Sequence, residues 1–182
     1  MIKRDGATLT RRVDFNQGVD ARILCKTPMY LEEISKVCIK PLRIAFDHIG
    51  LRKPYEQAVR YSHSVGLLNL SNYMLYNFHD TPEDLYQRMR LNIDLNKSLG
   101  TKIFSFPMRY QPTDLKDRSY VGEHWNKYYL RSFQVILQAT HGIVSGAPAF
   151  FDRAFGKSAA DFEKLLIMPQ HFIFNRTWYE EM

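Results

Sequence analysis

Side chains able to do chemistry follow four short apolar segments. They are Asn16-Gln17-Gly18-Val19-Asp20-Ala21-Arg22, Asp47-His48, Tyr76-Asn77-Phe78-His79-Asp80 and Pro107-Met108-Arg109-Tyr110. Asp47 beside His48 is a carboxyl and an imidazole suited to general acid–base work. Tyr73, Tyr76 and Phe78 offer rings on which a base can stack, or simply core packing. Gln17-Gly18 also fits a plain turn, Arg22 a surface ion pair, and Asp80-Thr81 the cap of the helix that follows. Cys25 precedes an expected helix start, where a thiolate would be favoured, although a buried inert cysteine fits as well. Each feature alone is unspecific, so the weight falls on their common placement.

That placement depends on the elements carrying them. The strand-like segments are Val13–Phe15, Leu42–Phe46, Leu68–Leu75 and Lys102–Phe106, with starts about 30 residues apart, the length of a strand-plus-helix unit. Between them, Thr27 and Pro28 open a helix expected to bury Leu31, Ile34 and Cys38. Tyr55, Ala58, Val59 and Ser62 share a face of the next, which stops at Gly66. Thr81-Pro82-Glu83-Asp84 carries a cap, a first-turn proline and an acid at the capping-box position, and Gly100 ends that helix. This alternation predicts parallel strands with right-handed crossovers, and in such sheets chemistry sits at the carboxyl ends. From about Gln111 the rhythm changes to helices at Glu123–Thr140, Phe150–Phe155 and from Ser158 to Met168.

Composition bounds the functions. With 45% hydrophobic and 24% charged residues the chain builds a core rather than a disordered or coiled-coil structure. No apolar run approaches the roughly 20 residues of a membrane span, and the first residues lack a signal peptide's apolar stretch, so a cytoplasmic protein is expected. Two cysteines, Cys25 and Cys38, are too few for a disulfide framework or a self-contained iron–sulfur cluster, and the six histidines show no paired metal-ligand spacing. No phosphate loop, dinucleotide fingerprint or nucleophile elbow is present. A formal charge of +6 favours phosphate-bearing partners, including nucleic acid, but the basic residues are dispersed rather than gathered into an arm.

The stretch Ser71-Asn72-Tyr73-Met74-Leu75-Tyr76-Asn77-Phe78-His79-Asp80-Thr81-Pro82-Glu83-Asp84-Leu85 resembles radical S-adenosylmethionine enzymes, in which a late barrel strand runs into Gly-x-Pro-x-Glu-Thr-x-Glu-Asp and a long helix. Ile103-Phe104-Ser105-Phe106-Pro107-Met108-Arg109-Tyr110-Gln111-Pro112-Thr113 is similar to the next strand and its proline loop, and Val13 to Arg22 to a middle strand. The resemblance covers residues 13–113. Asn77 and His79 stand in place of the usual glycines, and the Cys-x-x-x-Cys-x-x-Cys cluster segment is absent.

The resemblance implies an α/β fold, a partial TIM-type barrel made of the last four βα units of a half-open (β/α)6 barrel. Residues 1–112 would form that barrel and 113–182 a helical extension packed on it. It implies S-adenosylmethionine as cofactor, with Asn16, Gln17 and Arg22 on ribose and carboxylate, Asp47 on the amino group, and Asn72 with Tyr76 at the adenine edge. His48, Arg109 and Tyr110 would face substrate. A [4Fe–4S] cluster would come only from a separate N-terminal half, so the chain alone makes no radical. An open first edge invites that half, a second copy, or cover by the Met1–Arg12 segment. The alternatives are a non-catalytic nucleotide- or nucleic-acid-binding remnant and an acid–base enzyme working through Asp47 and His48.

Overall fold

The structure is a computed structural model describing residues 12–115, 117–173 and 175, and the backbone of 2–4 and 7–9. Strands β1 (Ile2–Arg4) and β2 (Ala7–Leu9) form an antiparallel pair. Then β3 (Val19–Asp20), β4 (Leu42–Ala45), β5 (Asn69–Tyr76) and β6 (Lys102–Arg109) lie side by side in chain order, all parallel. The protein is therefore α/β with a four-stranded parallel sheet. Whether Met1–Arg12 covers an edge lies outside the described side chains.

Pleating decides which side chains meet the helices, because successive residues of a strand point to opposite faces. In β4, Leu42 and Ile44 are buried while Arg43 and Ala45 are only half-buried. Register transfers this parity across the sheet: Leu42 lies opposite Leu70, Arg43 opposite Ser71, and Ser71 opposite Phe104. Leu70, Asn72, Met74 and Tyr76 thus share the face of Leu42, Ile44, Ile103 and Ser105, and all are buried. The helices gather on this face. On the other, Arg43, Tyr73, Leu75, Phe104 and Phe106 stay half-exposed and Met108 exposed.

The helices follow local chemistry. Helix α3 (Arg52–Ser64) buries Tyr55, Ala58, Val59 and Ser62 as their spacing predicts, and Tyr55 stacks on Phe46 at 4.2 Å between ring centroids. Helix α4 (Pro82–Leu99) starts in a complete capping box. Thr81 Oγ1 accepts from the Asp84 amide at 3.0 Å, and the Asp84 carboxylate accepts from the Thr81 amide at 3.1 Å. It ends at Gly100, whose φ of 70° suits a residue without Cβ. Thr81→Ala should lower stability by about 1 kcal/mol, measured as a shifted urea midpoint with an unchanged slope. An unmoved midpoint would mean that the cap does not hold the helix.

Expectations near the ends of several elements need correction. Regular pairing on the first strand begins at Val19, not Val13. Val13 makes only an isolated bridge to Ile39, and Gly18, at φ 79°, turns the chain between them. Asn16 and Gln17 therefore precede the strand rather than follow it. The helix expected from Pro28 is present as α2 (Met29–Ser35), and a helix that was not expected, α1 (Ala21–Lys26), precedes it, because Asp20 caps it by accepting from the Arg22 amide at 2.8 Å. Leu31 is buried, whereas Cys38 lies beyond α2 and is exposed. Cys25 falls in the last turn of α1 rather than before a helix start, and its Sγ donates to Gln57 Oε1 at 2.8 Å.

Helix α5 (Lys127–Ala139) starts four residues later than expected, since Asn126 caps it by accepting from the Tyr129 amide at 2.8 Å. Helices α6 (Pro148–Phe155) and α7 (Ala159–Ile167) follow, and Phe133 of α5 meets Phe162 of α7 edge-on at 5.7 Å. Among the described residues no helix is long and apolar enough to cross a membrane.

Candidate functional site

Arg88 organises the carboxyl ends of β4 and β5. It sits on the buried face of α4 with its side chain fully enclosed. Nη1 donates to the carbonyl oxygens of Phe46 at 3.2 Å and Asp47 at 3.0 Å, and Nη2 donates to the Asp80 carboxylate at 3.0 Å. Asp80 also accepts from the Phe78 amide at 3.0 Å, and its carbonyl accepts from Trp125 Nε1 at 2.9 Å. One guanidinium thus ties the end of β4 to the turn after β5. Burial pushes the Asp80 carboxyl up and the Arg88 guanidinium down, each against its partner's opposing pull. The pair fixes geometry more than it stabilises.

Above this tie lies a pocket of about 340 Å³. Ile49, Leu75 and Phe78 form apolar walls, and Asp47, His48 and His79 bring polar groups. Asp80 and Asp84 also line it, but Asp80 is engaged by Arg88 and Asp84 by its capping bond. Asp47 differs: its carboxylate has no hydrogen-bond partner among the described residues. Partial desolvation raises its pKa, against the pull of Arg88 and His48. A small, largely apolar cavity with one uncommitted carboxylate suits a ligand that presents an ammonium or N–H edge beside an apolar body.

Of the residues singled out in the sequence, Asp47 and His48 share this pocket. Tyr110 borders it through Phe78, their rings 4.4 Å apart. Asn16 lies on the open sheet face, its Oδ1 accepting from Tyr73 Oη at 3.1 Å. Gln17 is exposed, and Arg22 is turned back on Asp20, with Nη2 to Oδ2 at 2.6 Å. Arg109 donates to the carbonyl oxygens of Arg118 at 3.0 Å and Tyr120 at 2.8 Å, so it straps a loop rather than facing the pocket.

Asn72 and Tyr76 point the other way. Asn72 Nδ2 donates to Tyr55 Oη at 2.6 Å, Tyr55 Oη to Asn92 Oδ1 at 2.9 Å, and Asn92 Nδ2 to Ser105 Oγ at 2.8 Å, a buried chain. Tyr76 packs between Trp125 and Phe133, and burial pushes its hydroxyl up to about 12. The expected convergence of Asn16, Arg22, Asp47 and Tyr76 on one lip is not what the pleat produces, since Asn16 and Tyr76 lie on opposite faces.

The open face carries residues that the sequence reading passed over. Arg43 pairs with Asp14 through two bonds of 2.8 Å and lies over the rings of Tyr73 and Phe106, at 5.3 and 5.6 Å from their centroids. The hydrogen bond from Arg43 holds the Asp14 carboxyl below the usual carboxylate range. Arg88 had a legible signal: it is polar, yet shares the helix face of Leu85 and Asn92.

Two cysteines, Cys25 and Cys38, do not supply the thiolates that an iron–sulfur cluster needs. Among the described residues no three His, Cys, Asp or Glu side chains are grouped to hold a metal. Of the residues expected to hold S-adenosylmethionine, Asp47 lines the pocket, whereas Asn72 and Tyr76 lie on the buried, helix-covered face.

Because the fold holds Asp47 partly desolvated, its raised pKa opposes stability once pH exceeds the ordinary carboxyl range. Asp47→Asn should therefore stabilise the chain at pH 7, by a few tenths of a kcal/mol for a group this open to solvent. The gain should shrink as pH falls toward 4. Urea unfolding at the two pH values checks this, and a loss of stability at pH 7 would show that the carboxylate is paired.

Comparison with protein-family models, with curated proteins and with solved structures finds no match to this chain in any of the three.

Proposed function

We propose that the chain is the C-terminal part of a barrel enzyme of the radical S-adenosylmethionine kind. Its open sheet face would form one wall of the lumen, and the Asp47 pocket would lie at the rim. The carrying observation is where apolar side chains remain exposed. Of twelve large ones among the described residues, six (Val13, Phe15, Ile23, Met29, Tyr30 and Val37) lie within residues 13–37, the stretch that contains the edge strand β3 with α1 and α2. That is the side on which a partial barrel lacking its first two units would be cut, and such a patch favours a partner. The partner in this reading is a cluster-bearing N-terminal half.

S-adenosylmethionine contacts would then come from the open-face parity, Asn16, Arg43 and Tyr73, with Asp47 at the rim. This chain's own part is to bind and orient. Hydrogen exchange with S-adenosylmethionine added tests the reading. Slower exchange in residues 43–47 and 71–78 is expected, whereas slowing confined to α5–α7, or none, overturns it.

A second reading, acid–base work on a small molecule, draws support from Asp47 and His48 sharing one pocket. The same exchange experiment separates the two, since a bare acid–base site gives no response to S-adenosylmethionine.

A further inference from the structure

The uncovered face of the sheet holds a row of rings for which the pocket at the rim has no use. Alternation along β6 sets Lys102, Phe104, Phe106 and Met108 on this face, with Ile103 and Ser105 buried on the other. Tyr73 of β5 is the register partner of Phe106, and their rings lie 5.7 Å apart. Phe104 meets Phe106 edge-on at 5.5 Å, so three rings run together across two strands. The two faces differ in exposure. Leu70, Met74 and Ile103 are sealed under helices, whereas the three rings keep part of their surface in solvent and Met108 is 49% exposed.

Charge narrows what fits over the rings. Asp20 is the only carboxylate within β3 to β6, and Arg22 engages it. Asp14 is held by Arg43, whose guanidinium lies over Tyr73 and Phe106. An apolar cover would have to desolvate that ion pair, in which the Asp14 side chain is still 38% exposed. A planar base, by contrast, stacks on a guanidinium as it does on a ring. Lys102 stands at the foot of the row, exposed and without a carboxylate partner among the described residues, and the whole chain carries a surplus of +6. Rings, a flat cation and positive charge are complementary to bases on a phosphate backbone. Open sheets that present rings in this way stack about two or three unpaired bases.

We infer that the open sheet face stacks the unpaired bases of a single-stranded nucleic acid on Phe104 and Phe106, with Lys102 on a phosphate. Tyr73 and Arg43 back the Phe106 ring. The inference rests on the reading above in one respect, that this face is a wall left open to substrate. It names the substrate class that such a wall takes, and the strand binds without S-adenosylmethionine.

Fluorescence anisotropy of short labelled RNA and DNA strands, added to the full chain at low and moderate salt, tests it. Single strands should bind more tightly than the duplex of the same sequence, and about tenfold more weakly to Phe104→Leu/Phe106→Leu. Leucine keeps the apolar bulk and removes the ring face, and circular dichroism checks that the variant folds. Lys102→Gln should lower the salt slope by about one phosphate contact. Whichever strand binds more tightly, RNA or DNA, is the source of the bases. Duplex binding as tight as single-strand binding, indifference to the loss of both rings, or no strand binding at about 1 mM overturns the inference. Hydrogen exchange with S-adenosylmethionine is scored apart. A response there without strand binding sinks this inference alone, and strand binding without that response sinks only the cofactor reading.

Discussion

Arg88→Met is expected to cost about 3–5 kcal/mol of folding stability. The substitution keeps much of the side-chain length but removes every donor that the guanidinium supplies. The Asp80 carboxylate then stays buried beside apolar atoms, and the carbonyl oxygens of Phe46 and Asp47 lose their partner. Each unsatisfied group carries its own desolvation cost of about 1–3 kcal/mol. Adding Asp80→Asn to Arg88→Met should recover part of the loss, because the stranded charge is gone although the carbonyls remain unpaired. Chemical denaturation of the three variants measures the coupling. A double variant no more stable than Arg88→Met alone would show that the ion pair is not what ties β4 to β5.

Gly122→Ala should be nearly as damaging, by about 1–3 kcal/mol or more. An added Cβ would stand 2.6 Å from the Phe78 carbonyl oxygen and 2.9 Å from the Asn77 backbone. These are backbone atoms that cannot swing aside. Asn77 itself has φ 68°, unusual for a residue with a side chain. It is held there by accepting from the Gly122 amide at 2.8 Å and donating to the Tyr110 and Tyr120 carbonyls at 3.3 and 3.2 Å. The same contact presses the loop ahead of α5 against the turn that forms the pocket. Besides the loss of stability, hydrogen exchange should therefore quicken in residues 77–80 and 118–125. Quickening elsewhere would contradict this placement.

How far the sequence carried the fold is clearest at α4 and β5. Thr81, Pro82, Asp84 and Gly100 act through bonds within a turn or two of backbone, so the bounds of α4 were legible. Strand β5 was legible as a strand but not in its parity. Apolar residues occupy both of its faces, Leu70 and Met74 on one, Tyr73 and Leu75 on the other, so alternation within the strand cannot choose. Strand β4, with Leu42 and Ile44 set against Arg43 and Ala45, does choose, and parallel register passes its choice to β5. That step requires knowing which residues pair. The resemblance sets Asn72 with Tyr76 at the adenine edge, whereas the register puts Tyr73 and Leu75 on the open face and Asn72 and Tyr76 under the helices. Arg22 and Arg109 were misplaced for another reason. Each finds a close partner, Asp20 two residues away and the 118–120 backbone, and such satisfaction cannot be counted from residue types alone.

The central claim is that the β3 edge and the open sheet face are built to be covered by another polypeptide. Light scattering, with a hydrophobic dye as a second readout, tests it directly on the chain and on Ile23→Glu/Met29→Glu, both exposed positions. The account predicts a mass above 21.5 kDa or strong dye binding for the unaltered chain, and loss of either in the variant. A monodisperse monomer that binds no dye would contradict it.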